Sequence, residues 1–388
     1  MSNVHRPKDT RKMKTKHFMI TGIVSSLLFL SARGQDVSFS TLVWNEKPGD
    51  ILDQFPGWYN TDEALDIADN VLLWQRNNGG WPKNEDMINV SVAESRNIRK
   101  NRKAEDTNFD NGATYTQLRY LAMVYELTPT LKYKKAFLEG LDYVLEAQYD
   151  NGGWPQYYPN FTDYNEDNSD HNPEGYTQYV TFNDNAMIGI MELLHDIAYN
   201  HSSYAFVDEE RRQRATQALE KGIDCTLKTQ LTAEGKLAGW CAQYDEKTLE
   251  PRWGRHFEPP VLSSHETAGI VQFLMRIDQP SPELINAIQS AVQWMNEVKI
   301  QSAMVLESSG EEVTTEEAGG DFTWAHYYEL EIEEPVFAND DMTYDTYAAL
   351  PNEIQNKYQW YSNLPHRVLT TEYPHWQKQW DVKNVLMH

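Results

Sequence analysis

The chain has 388 residues, with 58 acidic and 34 basic side chains and a formal net charge of −24 at pH 7. This length fits one large domain or two medium ones. The acidic charge argues against nucleic acid as a partner, because phosphates attract surfaces rich in lysine and arginine. It also predicts that a polyanionic ligand is repelled unless a cation lies between ligand and protein.

The N-terminal segment has the features of an export signal. Lys14 and Lys16 precede the apolar run Phe18–Leu30, and small residues follow it. A basic region, an apolar region and a cleavage region occur in this order in secretory signals. We therefore predict a signal peptide over residues 1–34, with Met13 as a candidate true start, and an exported protein, periplasmic or extracellular. A single domain is expected over residues 45–380, with no further stretch able to span a membrane.

A Gly-Gly-Trp-Pro turn occurs twice in the next part of the chain. Its tryptophans, Trp81 and Trp154, lie 73 positions apart. Each turn follows a segment with apolar residues at helical spacing, residues 64–77 and residues 136–149. Because Gly-Gly permits a left-handed backbone and Pro stops a helix, the turn is typical of a helix end. The pattern predicts two equivalent helix–turn units.

A second signal repeats with the same spacing. Phe109 begins the segment FDNGA and Phe182 begins FNDNA, again 73 positions apart, and each segment is predicted to open a helix. A weaker third copy has a helix over 217–230, Trp240 in a turn and the segment SHETA at 264–268, and a further helix follows over 282–299. The residues at the predicted capping positions are Asp110, Asn183 and Glu266.

Repeated helical hairpins predict either an open solenoid or a closed ring, and three copies with long loops favour the ring. Each tryptophan turn and the cap that follows it belong to one connection, so all three connections should emerge on one face. We therefore predict an all-α fold, a toroid of repeated helical hairpins with long loops on one face. Cys225 and Cys241 are the cysteines of the mature chain, and whether they form a disulfide stays open.

The motifs NGGWPKN, FDNGATYTQLRYLA, NGGWPQYYP, TFNDNAMIGIMELL and WCAQYD…LEPRWGRHFEPP resemble pectate lyases of polysaccharide lyase family 10, over about residues 60–370. The resemblance implies an (α/α)3 toroid that cleaves polygalacturonate by anti β-elimination. It also implies that calcium bridges a substrate carboxylate and the protein. Calcium takes carboxylate and carbonyl oxygens, and it would let an acidic protein hold a polyanion.

The resemblance also suggests which residues form the site. We expect Asp110 and Asp184 to face calcium, because a cation on the substrate carboxylate makes the neighbouring C5 proton more acidic. Arg255 is implied as the proton acceptor, although arginine is normally protonated and more often binds carboxylates. Lys83 is similar to a lysine that contacts substrate. The other expected sugar contacts are Asn111, Asn185, His326, Trp81, Trp154 and Trp240.

The C-terminal part departs from the family pattern at two expected arginines, where this chain has His326 and Asp340. No lysine or arginine occurs between Lys299 and Lys357. Four hypotheses follow: a lyase with altered subsites, a relative with a changed glycan ligand or no lyase activity, a hydrolase of neutral glycans, and a non-catalytic carbohydrate-binding protein. The carboxylates available for hydrolysis would come from Glu258, Glu266 and Asp340. The lyase is favoured, because the expected metal-facing and cationic site residues are present.

Overall fold

The computed structural model describes residues 50–159, 175–302, 322–331, 333–355 and 358–386, so the predicted signal segment lies outside the described residues. The described chain is predominantly helical, with short strands in the connections. The main helices are α1 (Asp62–Trp74), α2 (Val92–Lys100), α3 (Tyr115–Leu127), α4 (Leu131–Glu146), α5 (Ala186–Ala198), α6 (Glu209–Lys228), α7 (Ser264–Leu274) and α8 (Pro282–Glu297). Shorter helices follow at α9 (Asn352–Gln355), α10 (Leu364–Arg367) and α11 (Tyr373–Gln379), with a π-helical turn Val368–Glu372 between the last two.

The strands were not predicted, and they qualify the all-α expectation. They are β1 (Val180–Thr181), β2 (Thr232–Ala233), β3 (Lys236–Leu237), β4 (Gln243–Tyr244), β5 (Leu262–Ser263), β6 (Ile300–Gln301), β7 (Phe322–Ala325), β8 (Tyr327–Tyr328), β9 (Pro335–Asn339), β10 (Met342–Tyr344) and β11 (Tyr361–Ser362). The antiparallel pairings are β1–β4, β2–β3, β10–β9–β8–β5 and β11–β7–β6. Strands of two to five residues are too short to show an alternating pattern in the sequence.

Several helices begin at side chains that satisfy their first free amides. Thr61 caps α1 and Asp208 caps α6. Ser91 and Glu94 form a reciprocal capping box at α2, and Ser281 caps α8 ahead of Pro282. Such side chains accept hydrogen bonds that the first helical turn cannot make internally, and each typically contributes about 1 kcal/mol. Local sequence therefore defines where these helices start.

The long helices pack in two groups. Helix α3 pairs with α4, α5 with α6 and α7 with α8. Helix α5 also contacts both α3 and α7. Helix α1 packs against α3 and α4, whereas α10, the π-helical turn and α11 pack near α7. In α5 every residue from Ala186 to Ile197 is buried. This burial explains the run AMIGIMELL, which has few polar positions because other helices surround α5.

The repeated tryptophans are internal parts of this packing. Each one is fully buried. Their indole N–H groups donate hydrogen bonds to main-chain carbonyls near the end of the preceding helix: Trp81 to Val71 at 2.8 Å, Trp154 to Val144 at 2.9 Å and Trp240 to Thr226 at 2.7 Å. Trp324 does the same with Met295 of α8 at 2.6 Å, so a fourth copy exists that the sequence did not reveal. The tryptophan satisfies carbonyl groups that a helix end leaves free.

A glutamine at each helix end joins one repeat to the next. Each side-chain amide donates to its own turn and to a helix of the following repeat. Gln75 bonds the carbonyls of Gly79 and Ala136, Gln148 those of Gly152 and Ala218, and Gln230 those of Ala238 and Ala287. These bonds link α1 to α4, α4 to α6 and α6 to α8. The contacts thus define an outer series of four helices beside the inner series α3, α5 and α7.

The connections between outer and inner helices lie together, as predicted. Asn108 in the first connection pairs with Tyr157 in the second, and β1 in the second pairs with β4 in the third. Strand β5 in the third pairs with β8 in the fourth. Because successive connections are joined by these pairings, their side chains can form one site.

Two further expectations concern cysteine and membranes. Cys225 and Cys241 are both buried free thiols, so they form no disulfide with each other. In the part of the chain that the structure describes, no helix combines the length and apolarity that a bilayer crossing requires.

Candidate active site

Two of the connections place carboxylates next to each other. Asp110 lies in a 3₁₀ turn before α3, and Asp184 lies in a similar turn before α5. Three residues of these turns other than glycine have left-handed backbones: Asn111 with φ 49°, Asp184 with φ 50° and Asn185 with φ 57°. Strained conformations of this kind cost about 1–3 kcal/mol each and cluster at functional sites.

The predicted capping roles in these turns are wrong. Asp110 and Asn183 make no capping hydrogen bond, and α3 begins at Tyr115 rather than near Phe109. At α7 the capping side chain is Ser263, not Glu266. The short turns that precede α3 and α5 free Asp110 and Asp184 for other contacts.

Asp110 is a buried carboxylate paired with a lysine. Lys83 Nζ donates to Asp110 Oδ2 at 2.5 Å. Burial by itself would raise the pKa of Asp110, but the charges of Lys83 and Arg255 outweigh burial and hold the pKa below its usual range. Asp110 Oδ1 is inaccessible to water and makes no hydrogen bond of ordinary geometry to a described residue. A buried oxygen of this kind is expected to have a hydrogen-bond donor or a cation beside it, because buried polar atoms normally have such partners.

Asp184 is the second carboxylate, and its side chain is 29% exposed. Burial and the negative charge of Asp110 raise the pKa of Asp184 to about 7, although Arg255 opposes the rise. The two carboxyl groups are close enough to share a hydrogen bond when one is protonated. Two carboxylates forced together with free oxygens provide the donor set that a hard divalent cation prefers.

Arg255 is held in place by hydrogen bonds to Glu258. Glu258 Oε1 accepts hydrogen bonds from Arg255 Nε at 2.9 Å and Nη2 at 2.5 Å, and Oε2 accepts from the Arg255 main-chain N–H at 2.8 Å. Arg255 Nη2 also lies 3.8 Å from Asp184 Oδ2. Burial would lower the pKa of Arg255, but Glu258 and Asp184 raise it well above its ordinary value. This pairing favours the charged form of Arg255, and the proton-acceptor role that the resemblance implies stays a prediction.

Lys83 completes a line of four charged residues. Its side chain is 30% exposed, and its ammonium lies 5.6 Å from the Tyr157 ring centroid. Burial would lower the pKa of Lys83, but Asp110 outweighs burial and raises it. The order Lys83, Asp110, Asp184, Arg255 therefore gives two cations flanking two carboxylates. This arrangement can hold a metal ion in the middle and carboxylates of an acidic ligand at both ends.

Comparison with known proteins agrees with this geometry. The family model described as pectic acid lyase matches residues 75–369, which include all four charged residues of the line. The chain belongs to this family. A family 10 polysaccharide lyase from Cellvibrio cellulosa is similar in structure, with a TM-score of 0.68 and 26% sequence identity over 82% of this chain and 94% of that one. An aspartate-to-alanine variant of a lyase of that description, in complex with trigalacturonic acid, has the same TM-score and identity over 95% of its chain. No curated protein matches the chain.

Membership in the pectic acid lyase family makes this protein a polysaccharide lyase. The hydrolase hypothesis relied on Glu258, Glu266 and Asp340, and of these three only Asp340 is exposed. Glu258 and Glu266 are both buried, and they are engaged by Arg255 and His326 respectively. A glycosidase needs two carboxylates that reach the substrate.

Four of the expected sugar contacts of the lyase are internal. The three turn tryptophans are fully buried, so they cannot stack on a sugar. His326 is also buried, with Nε2 at 3.3 Å from Glu266 Oε2 and Nδ1 at 3.0 Å from the Gln359 carbonyl. His265 stacks on the His326 ring at 5.1 Å. The expectation that these residues face the substrate is therefore wrong.

The remaining expected contacts lie at the site of the lyase. Asn111 is partly exposed and donates to Asn84 at 3.2 Å. Asn185 Nδ2 is buried and makes no hydrogen bond to a described residue. Asp340 is exposed at the tip of the β9–β10 hairpin, with φ 51°. The next residue, Asp341, donates its main-chain N–H to the carbonyl of His256 at 3.1 Å, which places this acidic tip beside Arg255.

Sequence reasoning did not recognise Glu258 as the partner of Arg255. The two residues are three positions apart in WGRHFE, a spacing at which an acid and a base can pair within a tight turn. Asn183, which donates to Glu258 at 3.1 Å, was assigned only a capping role. A search for opposite charges at short spacing would have indicated the first contact, but not the second, which joins residues 75 positions apart.

Proposed function

We propose that this lyase cleaves polygalacturonate by calcium-assisted β-elimination at the line Lys83, Asp110, Asp184 and Arg255. The observation that carries the proposal is the pair of adjacent carboxylates, in which burial and the charge of Asp110 raise the pKa of Asp184 to about 7. A cation between the two carboxylates would relieve their repulsion. The trigalacturonic acid bound to the similar lyase supports an acidic polysaccharide as the substrate.

The residues fit a calcium ion. Asp110 Oδ1 has no protein hydrogen bond among the described residues, and the Asp184 carboxylate is partly exposed beside it. Carboxylate oxygens are ligands that calcium prefers. When bound, calcium would neutralise a substrate carboxylate and so make the adjacent C5 proton more acidic.

The cations and amides would position the acidic chain. Lys83 and Arg255 would each pair with a uronate carboxylate, and charge-assisted hydrogen bonds of this kind are stronger than neutral ones. We assign the amides of Asn111 and Asn185 to polar groups of the sugar. The elimination would transfer the C5 proton to a base, form a C4–C5 double bond and break the bond from C4 to the glycosidic oxygen, which would leave as a hydroxyl after taking up a proton from water. The resemblance implies that Arg255, in its neutral form, is the base. Arg255 would lie at the reacting uronate, oriented by Glu258.

The same proposal extends to architecture and location. We propose that the inner and outer helices close into an (α/α)3 toroid, which the ordered contacts between successive hairpins support. We also propose that the protein is exported, as the basic and apolar N-terminal segment indicates. An extracellular or periplasmic location would bring the enzyme to its polysaccharide.

The decisive assay measures ultraviolet absorbance of the unsaturated product from polygalacturonate. We expect product with calcium, none after chelation, and recovery when calcium is restored. In parallel, reducing ends should rise with the same time course, because each elimination creates one of each. Reducing ends without the absorbing product would show hydrolysis and overturn the proposal, as would full activity in excess chelator.

A second candidate is a lyase that acts on a less acidic glycan. The observation that favours it is the exposed pair Asp340 and Asp341 beside Arg255, where negative charge would repel a polyanion. Assaying polygalacturonate against partly methyl-esterified and neutral glycans separates the two candidates. A preference for the least charged substrate would favour the second.

A further inference from the structure

We propose that His195, Asp196 and His201 form a binding site for a divalent transition-metal ion of the zinc class, at the end of α5 far from the carboxylate pair. The inference goes beyond the proposed function and does not depend on it. Asp184 lies in the turn before α5, whereas His195 and Asp196 lie in the last turn of α5 and His201 follows the helix. Because a helix rises 1.5 Å per residue, roughly 15 Å of helix separates the two places.

The distances between the three side chains fit the edges of a metal tetrahedron. Asp196 Oδ1 lies 3.5 Å from His195 Nδ1 and 3.3 Å from His201 Nδ1. Zinc bonds to nitrogen and oxygen are about 2.0–2.2 Å long, which puts neighbouring tetrahedral ligands about 3.3–3.6 Å apart. The three residues each offer one ligand atom, and these atoms all lie within 4.8 Å of one another. Both measured distances are longer than good hydrogen bonds, but they match two edges of the tetrahedron.

His195 supplies a buried nitrogen without a partner of ordinary geometry. Its side chain is 9% exposed. Its Nδ1 atom is inaccessible to water and makes no hydrogen bond of ordinary geometry to a described residue. Neutral imidazole nitrogen is the ligand that histidine offers to a metal ion. An ion at this nitrogen would give it the partner that buried polar atoms normally have.

Asp196 is a carboxylate that two arginines hold in a fixed orientation. Arg276 Nη2 donates to Asp196 Oδ1 at 2.7 Å, and Arg119 Nη1 donates to Oδ2 at 2.9 Å. The two positive charges favour the ionised carboxylate. Each carboxylate oxygen has two acceptor positions, so Oδ1 keeps one for a metal ion. Hydrogen bonds of this kind commonly orient the carboxylates that bind metals.

The surrounding charges decide which metal suits the site. Arg276 Nη1 donates to Glu192 Oε1 at 3.0 Å, and Arg119 Nη2 lies 3.8 Å from Glu192 Oε2. The two acids and the two arginines therefore cancel in charge, and the site has no surplus of negative charge to attract any cation. Calcium prefers oxygen ligands, whereas imidazole suits zinc, nickel and copper. The two histidines thus favour a transition-metal ion over calcium.

His201 connects the site to solvent. Its side chain is 51% exposed, so an ion can reach the buried nitrogen from this side. Its main-chain N–H donates to the Asp196 carbonyl at 3.0 Å, and its ring centroid lies 6.1 Å from that of His195. Three protein ligands leave a fourth position, which water would fill. A bound ion would tie the connection between α5 and α6 to the end of α5.

The test is calorimetric titration of the tag-free protein with zinc, in saturating calcium and without substrate. The variants are His201→Gln, the matched control His375→Gln, whose histidine is exposed on α11, and Asp184→Asn in the proposed calcium site. We expect one zinc ion per chain in the parent and in the last two variants. In His201→Gln zinc affinity should fall at least tenfold, because loss of a ligand should cost no less than the about 10–100-fold that loss of an outer contact costs. Zinc should also raise the Tm of the parent more than that of His201→Gln.

Three results would overturn the inference. The first is zinc affinity in His201→Gln equal to that of the parent, which would place the ion elsewhere. The second is a folded parent that binds no zinc. The third is parental zinc affinity in His195→Gln, with folding of both variants checked by circular dichroism. Failure of the proposed function is separable, because zinc affinity is measured without substrate and independently of any unsaturated product.

Discussion

His326 and Glu266 form a buried ion pair, with His326 Nε2 at 3.3 Å from Glu266 Oε2. Burial would lower the pKa of His326 and raise that of Glu266. The attraction between them outweighs burial, so the pKa of His326 is raised and that of Glu266 is lowered to about 2. His326 lies where the family pattern has an arginine, and its side chain forms a contact in the interior of the fold.

This pair predicts how stability depends on pH. The contribution of Glu266 is present above its unfolded pKa of about 4.5 and is lost as pH falls towards 2. The contribution of His326 is present below about 6.5 and is lost as pH rises through its raised folded pKa. We expect Glu266→Gln to lower the free energy of unfolding most between about pH 4.5 and 6.5, measured by denaturant titration. An equal loss at every pH would contradict an ionised pair.

The acidic hairpin tip predicts a small electrostatic effect on substrate binding. We expect Asp340→Asn to strengthen trigalacturonate binding about 1.5- to 5-fold, because an exposed charge contributes about 0.2–1 kcal/mol. Asparagine tolerates the left-handed backbone at this position. Asp345→Asn, also exposed, is the matched control.

By contrast, His326→Arg should lower stability by about 1–3 kcal/mol, because it places a larger side chain in a packed site. Calorimetry and thermal unfolding measure the two outcomes.

The carboxylate pair predicts the response to calcium. We expect Asp184→Asn to weaken calcium binding more than about tenfold, since even groups one step removed from a metal typically change its affinity about 10–100-fold. Asp224→Asn is the control, because Asp224 is an exposed carboxylate on α6 that pairs with Lys228. Calcium affinity is measured by calorimetry without substrate, and folding by circular dichroism. Unchanged calcium affinity in Asp184→Asn would remove this residue from the metal site.

The buried tryptophans predict a stability effect without a specific effect on catalysis. We expect Trp81→Phe to destabilise the protein by about 1–3 kcal/mol, because the Val71 carbonyl loses its indole donor. KM for polygalacturonate should stay at the parent value under conditions where the variant is folded. Phe55→Leu, which changes an exposed aromatic residue, should alter neither quantity. A raised KM in folded Trp81→Phe would restore the sugar-contact hypothesis.

Two glycines with left-handed backbones, Gly152 in a Gly-Gly turn and Gly235 between β2 and β3, predict a contrast between two alanine substitutions. Gly152 has φ +95°, and a Cβ there would lie 2.1 Å from the Lys221 carbonyl oxygen. Gly235 has φ +77°, with no atom within 4 Å of an added Cβ. We expect Gly235→Ala to cost about 1 kcal/mol of stability from backbone strain alone. Gly152→Ala should cost more than about 4 kcal/mol or prevent folding. Urea unfolding compares them, and equal effects would contradict the close packing of the turn on α6.

Local signals in the sequence determined the repeat and the approximate helices, and the resemblance to pectate lyases implied the residues of the charged line. The Trp81 and Trp154 turns could be recognised because a helix end is encoded by adjacent glycine and proline. The approximate positions of Asp110 and Asp184 followed from Phe109 and Phe182, which are 73 positions apart, and the convergence of the connections followed from their order along the chain.

Only the tertiary structure decided which of these side chains meet the solvent and which meet one another. A tryptophan or histidine has the same local signal whether it contacts a sugar or a distant carbonyl. The burial of His326 depends on Glu266, 60 positions earlier, and the setting of Arg255 depends on Glu258, which also bonds Asn183 across 75 positions. Side-chain exposure is a property of the packed chain, because it is set by contacts between residues whose separation in sequence carries no local pattern.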